Sequence, residues 1–213
     1  MHIAKCIGGL LILVLSSVSH LYAQGTVYWT VTFDNPPLAP GESHFIPQYT
    51  EQGMLFRGIG IDQHSAYELA RAGGARTILP DNGTSYIRIG DSLTVRAITA
   101  ADGSRFGLVS VDIAEYISTS QSATARFIGY RNDGSTVGYW AFADGINDGI
   151  GPAVDFQTFS FGPQFADLVK VEIYNYPFAL DNFVFSSVPE PGSGTLMLLA
   201  AGAFGLRFFK RKS

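Results

Sequence analysis

Cysteine is nearly absent from this sequence, and its scarcity excludes several classes of protein. The single cysteine among 213 residues, Cys6, lies near the N-terminus and precedes an apolar run typical of a cleaved export signal. We expect Cys6 to be removed with that segment. A mature chain without cysteine cannot use thiol catalysis, disulfide bonds or cysteine-ligated zinc.

Charge is also scarce, and it is unevenly distributed. Only 15% of the residues are charged, and the formal net charge is −4. Lys5 and four residues near the C-terminus account for five of the 14 Lys and Arg residues, which leaves nine against 18 Asp and Glu and gives the rest of the chain a charge of −9. Because such a body repels phosphate polymers and anionic lipid, we expect no nucleic-acid partner.

Familiar catalytic motifs are missing too. The sequence has no G-x-S-x-G, no H-E-x-x-H and no P-loop, and His44 and His64 fall in different predicted loops. Carboxylates are plentiful, but the separation of about 5–10 Å that a glycosidase acid pair needs is a property of the folded chain. We therefore expect a protein that is not an enzyme, with a carboxylate-dependent polysaccharide hydrolase as the alternative.

Residues 1–23 have the three parts of a secretory signal peptide. Lys5 supplies the charged start, residues 7–15 form an apolar run, and a short stretch of small and polar residues follows. We expect the Sec translocon to export the chain and signal peptidase to cut between Ala23 and Gln24. A cut after Ser19 is the alternative.

Residues 188–213 form a second targeting segment. Pro189, Glu190 and Pro191 cannot continue a strand ladder, so they end the folded body and begin a stiff linker. An apolar stretch follows, for which we predict a transmembrane helix over residues 194–209. The segment ends in a basic anchor that we expect to stay in the cytoplasm, formed by Arg207, Lys210, Arg211 and Lys212.

The order Pro-Glu-Pro, short apolar helix and basic end resembles the PEP-CTERM sorting signal of bacterial proteins handled by an exosortase. The resemblance covers residues 188–213 and implies a Gram-negative host that makes exopolysaccharide. It also implies processing by exosortase near Pro189, Glu190 and Pro191. The body would then be held on the periplasmic side of the membrane and afterwards reach the cell surface or the extracellular matrix. An ordinary tail anchor with a Pro-rich hinge is the alternative.

Residues 24–187 have the pattern of an all-β domain. Apolar and polar residues alternate in short runs separated by turn signals such as Asn132-Asp133-Gly134. One run, 66–71, favours a helical turn instead. The pattern predicts an antiparallel two-sheet β-sandwich or jelly roll. The predicted strands span residues 26–33, 54–61, 85–89, 93–98, 106–113, 123–130, 137–142, 156–161, 168–174 and 178–185.

Three phrases of the body resemble the jelly-roll domains that often precede this sorting signal, which are similar to galactose- and carbohydrate-binding modules. They are residues 31–34, 106–112 and 178–185. The resemblance implies a β-sandwich in the envelope or polysaccharide matrix, with exopolysaccharide as a candidate partner. The fold by itself does not identify a ligand.

The same resemblance implies a structural calcium ion between the first and last strands. Asp34 and Asp181 interrupt or end apolar strands at those two places, and Asp112 interrupts a third, where an unpaired carboxylate is costly. We therefore take Asp34, Asp112 and Asp181 as candidate metal ligands. The alternative is that each carboxylate faces solvent or accepts backbone hydrogen bonds.

Aromatic residues offer a sugar-binding surface, because a pyranose ring stacks on an aromatic face. Alternation along the predicted strand places Tyr139 and Trp140 on opposite faces, so only one of them can belong to the core. The candidates for a platform are Trp29, Tyr49, Tyr130, Tyr139, Trp140 and Tyr174.

Overall fold

The computed structural model describes residues 26–59, 67–73, 79–90, 95–116, 123–143, 156–174 and 177–188. Val27–Val188 form one compact unit. Its secondary structure is all-β apart from a short 3₁₀ turn at Pro163–Phe165. The strands are β1 (Tyr28–Val31), β2 (Ser43–Ile46), β3 (Gln48–Glu51), β4 (Met54–Ile59), β5 (Tyr67–Arg71), β6 (Ser85–Ile89), β7 (Val95–Ala100), β8 (Phe106–Glu115), β9 (Ala123–Arg131), β10 (Thr136–Ala143), β11 (Gln157–Ser160), β12 (Leu168–Tyr174) and β13 (Phe178–Ser187).

The strands pair antiparallel in one sheet of two parts. The first part, here called the β8 wing, contains β2, β5, β6, β13 and β8, with β1 paired to β13 and β11 paired to β8. The second, the β12 wing, contains β3, β4, β7, β12, β9 and β10. Leu168 and Phe106 form the pair that joins β12 to β8. The 13 strands thus form one sheet, in which the two wings share a single ladder contact among the described residues.

The main core lies between the inner faces of the two wings. Phe56 on β4 and Phe183 on β13 are both fully buried, and their ring centroids lie 5.3 Å apart. These strands are four places apart in the sheet order, so the sheet must curl over for the rings to meet. The apolar residues that alternate along each strand fill the space between the wings.

A bulge in β13 determines which side chains face this core. The pairing of β13 with β8 shifts between Asp181 and Val184, and Asn182 adopts a left-handed backbone with φ of 44°. Asparagine tolerates that conformation better than most residues do. As a result Leu180 and Phe183 both enter the core, while Asp181 points to the opposite face.

The predicted helical turn at residues 66–71 is wrong, because Tyr67–Arg71 form strand β5. Glu, Leu, Ala and Arg are good helix formers, but packing overrides that preference. Tyr67 and Leu69 point into the core, and Glu68 pairs with Arg88 on the neighbouring strand β6. Short strands β2 and β3 were also not predicted. Each of the ten predicted strands overlaps an observed strand, with ends that differ by up to two residues.

None of the helical segments within the described residues could cross a membrane. The predicted transmembrane helix at 194–209 and the predicted signal peptide at 1–23 lie outside those residues.

Candidate functional site

The outer face of the β12 wing carries a continuous group of aromatic and charged side chains. Alternation sends every second residue of β9, β10 and β12 away from the core. Register places Trp140 of β10 opposite Arg126 of β9, and Arg126 opposite Tyr174 of β12. We call this surface the platform; it consists of Arg126, Tyr130, Trp140, Phe142, Lys170, Glu172 and Tyr174.

Glu172 is the polar centre of the platform. Tyr130 and Tyr174 each donate a hydroxyl hydrogen bond to its Oε2, at 2.5 and 2.6 Å. Lys170 donates to its Oε1 at 2.7 Å, and the Lys170 ammonium also lies 4.0 Å from the centroid of the Tyr130 ring. Two aromatic rings are therefore held in place by one carboxylate that is only 8% exposed.

These contacts keep Glu172 ionised and both tyrosines neutral. Burial alone would raise the pKa of Glu172, but the hydrogen bonds from Lys170, Tyr130 and Tyr174 outweigh it and hold that pKa below its ordinary value. Donating to Glu172 raises the pKa of Tyr130, and burial raises the pKa of Tyr174. Both hydroxyl groups therefore keep their protons at neutral pH.

Trp140 and Phe142 form the exposed part of the platform. They are 46% and 62% exposed, and their rings stack at 6.0 Å between centroids with an interplanar angle of 12°. The Arg126 guanidinium lies 5.3 Å from the Trp140 ring centroid, within the range of a cation–π contact. The two stacked rings form contiguous exposed apolar surface, and such surface often marks an interaction site.

Gly138 leaves open space beside the exposed rings. It lies two residues before Trp140 on β10, and register places it opposite Ile128, which in turn lies opposite Glu172. A Cβ built at Gly138 would have Phe127 O at 4.0 Å as its neighbour. Any larger side chain at position 138 would project from the platform, so glycine leaves the surface beside Trp140 unobstructed.

The other aromatic candidates have different roles. Tyr49 is buried against Phe33 and Phe56, and Tyr139 packs on Phe161 with 4.8 Å between centroids. Both belong to the inner layer, as alternation predicts for Tyr139 relative to Trp140. Trp29 stacks on Phe185 at 5.6 Å, away from the platform, where it lines a separate cleft of about 260 Å³ with Arg105 and Val188.

The charged members of the platform were missed by sequence reasoning. Arg126 lies on a predicted strand, two residues before Ile128. Lys170 and Glu172 lie on another predicted strand, two residues apart, and Tyr174 follows Glu172 at the same spacing. The alternation Lys170-x-Glu172-x-Tyr174 places three polar side chains on one face of β12, and this signal was available. The partner Tyr130, 42 residues away in sequence, depends on strand order.

Asp181 lies on the outer face of the β8 wing and is fully buried. Its Oδ2 accepts hydrogen bonds from the Asn82 amide at 2.5 Å and the Thr84 hydroxyl at 3.0 Å, and its Oδ1 accepts from the backbone N–H of Asn182 at 2.7 Å. Burial raises the pKa of Asp181 to about 7, and the charge of Asp34 adds to the rise. The Asp181 carboxylate is thus buried, and its hydrogen-bond donors among the described residues are all neutral.

Asp34 and Asp112 lie near this buried carboxylate. Asp34 Oδ1 accepts the backbone N–H of Ser85 at 2.8 Å. Asp112 lies opposite Asp181 in the register of β8 and β13, and accepts from Thr158 at 2.6 Å and from the Asn182 amide at 2.8 Å. The fold thus brings all three predicted carboxylates to one region, through the pairing of β1 and β8 with β13.

That region does not contain a recognisable metal cage. No group of three or more His, Cys, Asp or Glu side chains among the described residues could hold a metal ion. Backbone N–H groups donate to Asp34 and Asp181, as the alternative to a metal site expects, whereas the side chains of Thr158 and Asn182 donate to Asp112. Calcium binding by these residues stays a prediction.

The two histidine candidates do not form a site in the part of the chain that is described. His44 is exposed and pairs with Glu42, with 2.7 Å between Nε2 and Oε1. His64 lies outside the described residues.

The predicted processing and anchoring residues also lie outside the described part of the chain. These are Ala23, Gln24, Pro189, Glu190, Pro191, Arg207, Lys210, Arg211 and Lys212. Residues 187–212 match the family described as the PEP-CTERM protein-sorting motif. The chain carries a PEP-CTERM sorting motif. The match begins at the last residue of β13, so the PEP-CTERM motif follows directly on the folded body.

Comparisons of the whole chain add little to that motif. No curated protein matches the chain. Among solved structures, the enzymatically active domain of tailspike protein 4 of bacteriophage CBA120 aligns with a TM-score of 0.30 and 12% sequence identity, over 64% of this chain and 20% of that one. The chain therefore spans about a fifth of that structure, and so low a TM-score supports no conclusion about fold or function.

Proposed function

We propose that this protein is exported, sorted by an exosortase and held in the cell envelope or extracellular matrix, where its body acts as a non-catalytic β-sandwich that binds glycans. The PEP-CTERM motif at residues 187–212 supports the sorting part of the proposal. The platform on the β12 wing is the observation that carries the binding part.

In this proposal the signal peptide is removed after Ala23, and the body is exported while helix 194–209 stays in the membrane. The basic residues after that helix keep its end cytoplasmic, because cytoplasmic segments retain Lys and Arg. Exosortase then cuts near Pro189, Glu190 and Pro191, which releases or transfers the body.

Mass spectrometry of the protein purified from its native host tests the sorting step. We expect the mature C-terminus to lie near Glu190. Replacing Glu190 and both flanking prolines by alanine should leave a chain that ends at Ser213. If most wild-type molecules also end at Ser213, the processing step is wrong, although a membrane anchor would remain possible.

The binding part rests on rigid, exposed aromatic surface. Trp140 and Phe142 offer stacked rings to solvent, and Tyr130 and Tyr174 are fixed by Glu172 instead of moving freely. Rings held before binding lose little conformational freedom on contact, and polar groups at their edges can bond to sugar hydroxyls. An exposed sheet face of this kind suits an extended polymer.

The hydrolase alternative has one observation in its favour, since Asp112 and Asp181 lie opposite each other and the pKa of Asp181 is raised to about 7. Against it, Asp181 is fully buried and all its described contacts are protein donors. A buried carboxylate cannot reach a glycosidic oxygen. We therefore favour binding, and polysaccharide cleavage that Asp112→Asn abolishes would reverse this preference.

Affinity electrophoresis of the full chain through gels that contain soluble polysaccharides tests binding. The panel includes the host exopolysaccharide, dextran and pectins. Trp140→Ala should weaken retention by about tenfold or more, which corresponds to 1.4 kcal/mol of lost contact. Phe45→Ala is the matched control, because Phe45 is 67% exposed but lies on β2 of the other wing. Equal retention of all three proteins would refute the platform as the binding surface.

A further inference from the structure

The charges on the outer face of the β12 wing differ in sign from those of the body as a whole. Among the described strand residues of that face, the cations are Arg57, Arg126 and Lys170, and the acid is Glu172. The chain between its basic ends, by contrast, has 18 acidic residues and nine basic ones. The sheet face that presents exposed aromatic rings is therefore also a cationic patch on an acidic protein.

Glu172 does not cancel this patch. Its carboxylate is nearly buried and is already occupied by Lys170 and two tyrosine hydroxyls. That leaves Arg57 and Arg126, both of which are exposed. Neither arginine pairs with a carboxylate of the described residues, whereas Arg88 and Arg105 each do.

The two arginines lie on opposite sides of Glu172. Arg57 on β4 lies in register with Ala97 on β7, which lies in register with Glu172 on β12. Glu172 lies opposite Ile128 on the next strand, β9, and Arg126 lies two residues from Ile128 on that strand, over the ring of Trp140. Three strand spacings separate β4 from β9, or about 14 Å. A single sugar ring cannot span that distance, but a polymer with repeated anionic groups can meet both arginines.

From this charge pattern we propose that the platform and the neighbouring Arg57 select anionic polysaccharides, with Trp140 stacking on a sugar ring while Arg126 and Arg57 bind carboxylates of the same chain. The inference rests on the proposed glycan-binding function and adds the class of ligand. Arginine suits the task because its planar guanidinium binds a carboxylate through two parallel hydrogen bonds. The stack of Arg126 on Trp140 also orients the guanidinium before the ligand arrives.

Single-stranded nucleic acid also combines flat rings with negative charge, so it is the competing class. The proposed location favours polysaccharide, because a body held in the envelope or extracellular matrix is surrounded by exopolysaccharide. Binding of an oligonucleotide is therefore an outcome that the experiment must include.

The test compares two probes that share one backbone: polygalacturonate, which is fully charged, and the same polymer after methyl esterification, which is nearly neutral. Binding to the full chain is measured by calorimetry at two salt concentrations, with a poly(dT) oligonucleotide as a third probe. We expect polygalacturonate to bind about tenfold more tightly than the ester at low salt, and the difference to shrink as salt screens the charges.

The double variant Arg57→Gln, Arg126→Gln should lose this preference and bind the charged polymer and the ester with affinities within about twofold of each other. Arg105→Gln is the control, because Arg105 lies outside the platform and pairs with Asp167 at 2.8 Å. Equal affinity for both polymers, or a preference that survives in the double variant, would overturn the inference. Tighter binding of the oligonucleotide than of polygalacturonate would also overturn it.

These results stay distinct from a failure of the proposed function. If the ester and the charged polymer bind equally and Trp140→Ala weakens both, the platform binds glycans without selecting charge. If neither polymer binds and the host exopolysaccharide is not retained either, glycan binding itself is refuted.

Discussion

On the outer face of the β8 wing, Glu68, Arg88 and Asp181 are each less than a tenth exposed, whereas Trp140 and Phe142 on the outer face of the β12 wing are 46% and 62% exposed. Charged side chains are usually exposed and large apolar rings are usually buried, and these two groups of residues show the reverse. The first arrangement requires partners for every buried charge. The second requires a reason for leaving apolar surface uncovered.

The difference arises from what packs over each wing. A second apolar cluster, which includes Tyr86, Leu79 and Ala179, covers the β8 wing, and Phe156 packs against it with 5.3 Å between the Tyr86 and Phe156 centroids. A sheet buried on both faces must satisfy its polar groups internally. The described residues provide no such cover for Trp140 and Phe142. In the proposed function, the covered part of the β8 wing supports the fold and the exposed rings of the β12 wing bind the ligand.

Breaking the buried ion pair of the β8 wing should have the largest effect on stability. Arg88 Nη1 lies 2.6 Å from Glu68 Oε2, and both side chains are under a tenth exposed. Among the described residues, Glu68→Ala leaves the buried Arg88 charge with the Tyr116 carbonyl and ring beside it, so we expect a loss of about 3–5 kcal/mol in the free energy of unfolding. Urea unfolding of the full chain measures it.

The control for this variant is Arg105→Ala, which breaks the half-exposed pair with Asp167 and should cost less than about 1 kcal/mol. If Glu68→Ala costs no more than the control does, the Arg88 guanidinium has access to water, and the description of the β8 wing as a dry face is wrong.

Stability should also depend on pH through Asp181. Burial raises its folded pKa from 3.8 to about 7, so the folded state binds a proton that the unfolded state has already released. The stabilisation is therefore complete below about pH 4 and is lost as the pH rises through 7, by an amount on the order of 3 to 4 kcal/mol. Asp181→Asn cannot titrate and should lack this loss.

The measurement compares urea unfolding of the wild type and Asp181→Asn from pH 4 to pH 8. Asp133→Asn is the control without a pH effect in this range, because hydrogen bonds from Ser135 lower the pKa of Asp133 and its stabilisation is lost only below about pH 4. A difference between wild type and Asp181→Asn that does not change with pH would show that Asp181 stays ionised when folded.

Most strands of both wings were predictable from the sequence, because alternating residues reveal which strands have one buried face. The pattern is less informative for β5, where Glu68 and Ala70 lie on a face that is also buried. It is weakest for the four-residue strands β2 and β3, which Pro47 separates and which are too short to establish a period. Strand identity there depends on ladder partners that lie elsewhere in the chain.

The platform was predictable only in part, for a similar reason. Alternation assigned Trp140 and Tyr139 to opposite faces, as the structure shows. It could not show that Tyr130 on β9 meets Glu172 on β12, because that contact follows from the order of strands in the wing. Likewise, the sequence suggested that Asp34 and Asp181 come near each other, but not that Asn82 and Thr84 would supply the donors.

Two neighbouring residues of β10 test the difference between the inner and outer faces of the β12 wing. Tyr139 packs on Phe161 and Phe165, with centroid distances of 4.8 and 6.3 Å, so Tyr139→Ala should cost about 2–3 kcal/mol of stability. Trp140→Ala removes an exposed ring and its contact with Arg126, and should cost no more than about 1 kcal/mol.

Thermal unfolding of the two variants tests this difference. The same Trp140→Ala protein should lose retention on polysaccharide, which would separate binding from stability. Comparable destabilisation by the two substitutions would mean that Trp140 is part of the fold, and the case for the platform would fail.

The smallest effect that we expect is an electrostatic one between two carboxylates of the β8 wing. The charge of Asp34 contributes to the raised pKa of Asp181, but it comes after burial and after the three hydrogen bonds in size. Asp34→Asn removes that charge and keeps an oxygen to accept the N–H of Ser85. The pKa of Asp181 should therefore fall slightly, and stability should be lost at a lower pH than in the wild type.

Carbon-detected NMR titration of the Asp181 carboxyl group measures the shift directly. An unchanged or higher pKa would mean that water or a bound ion already screens the two carboxylates. The calcium prediction requires a bound ion. Repeating the titration with a chelator distinguishes the ion from water.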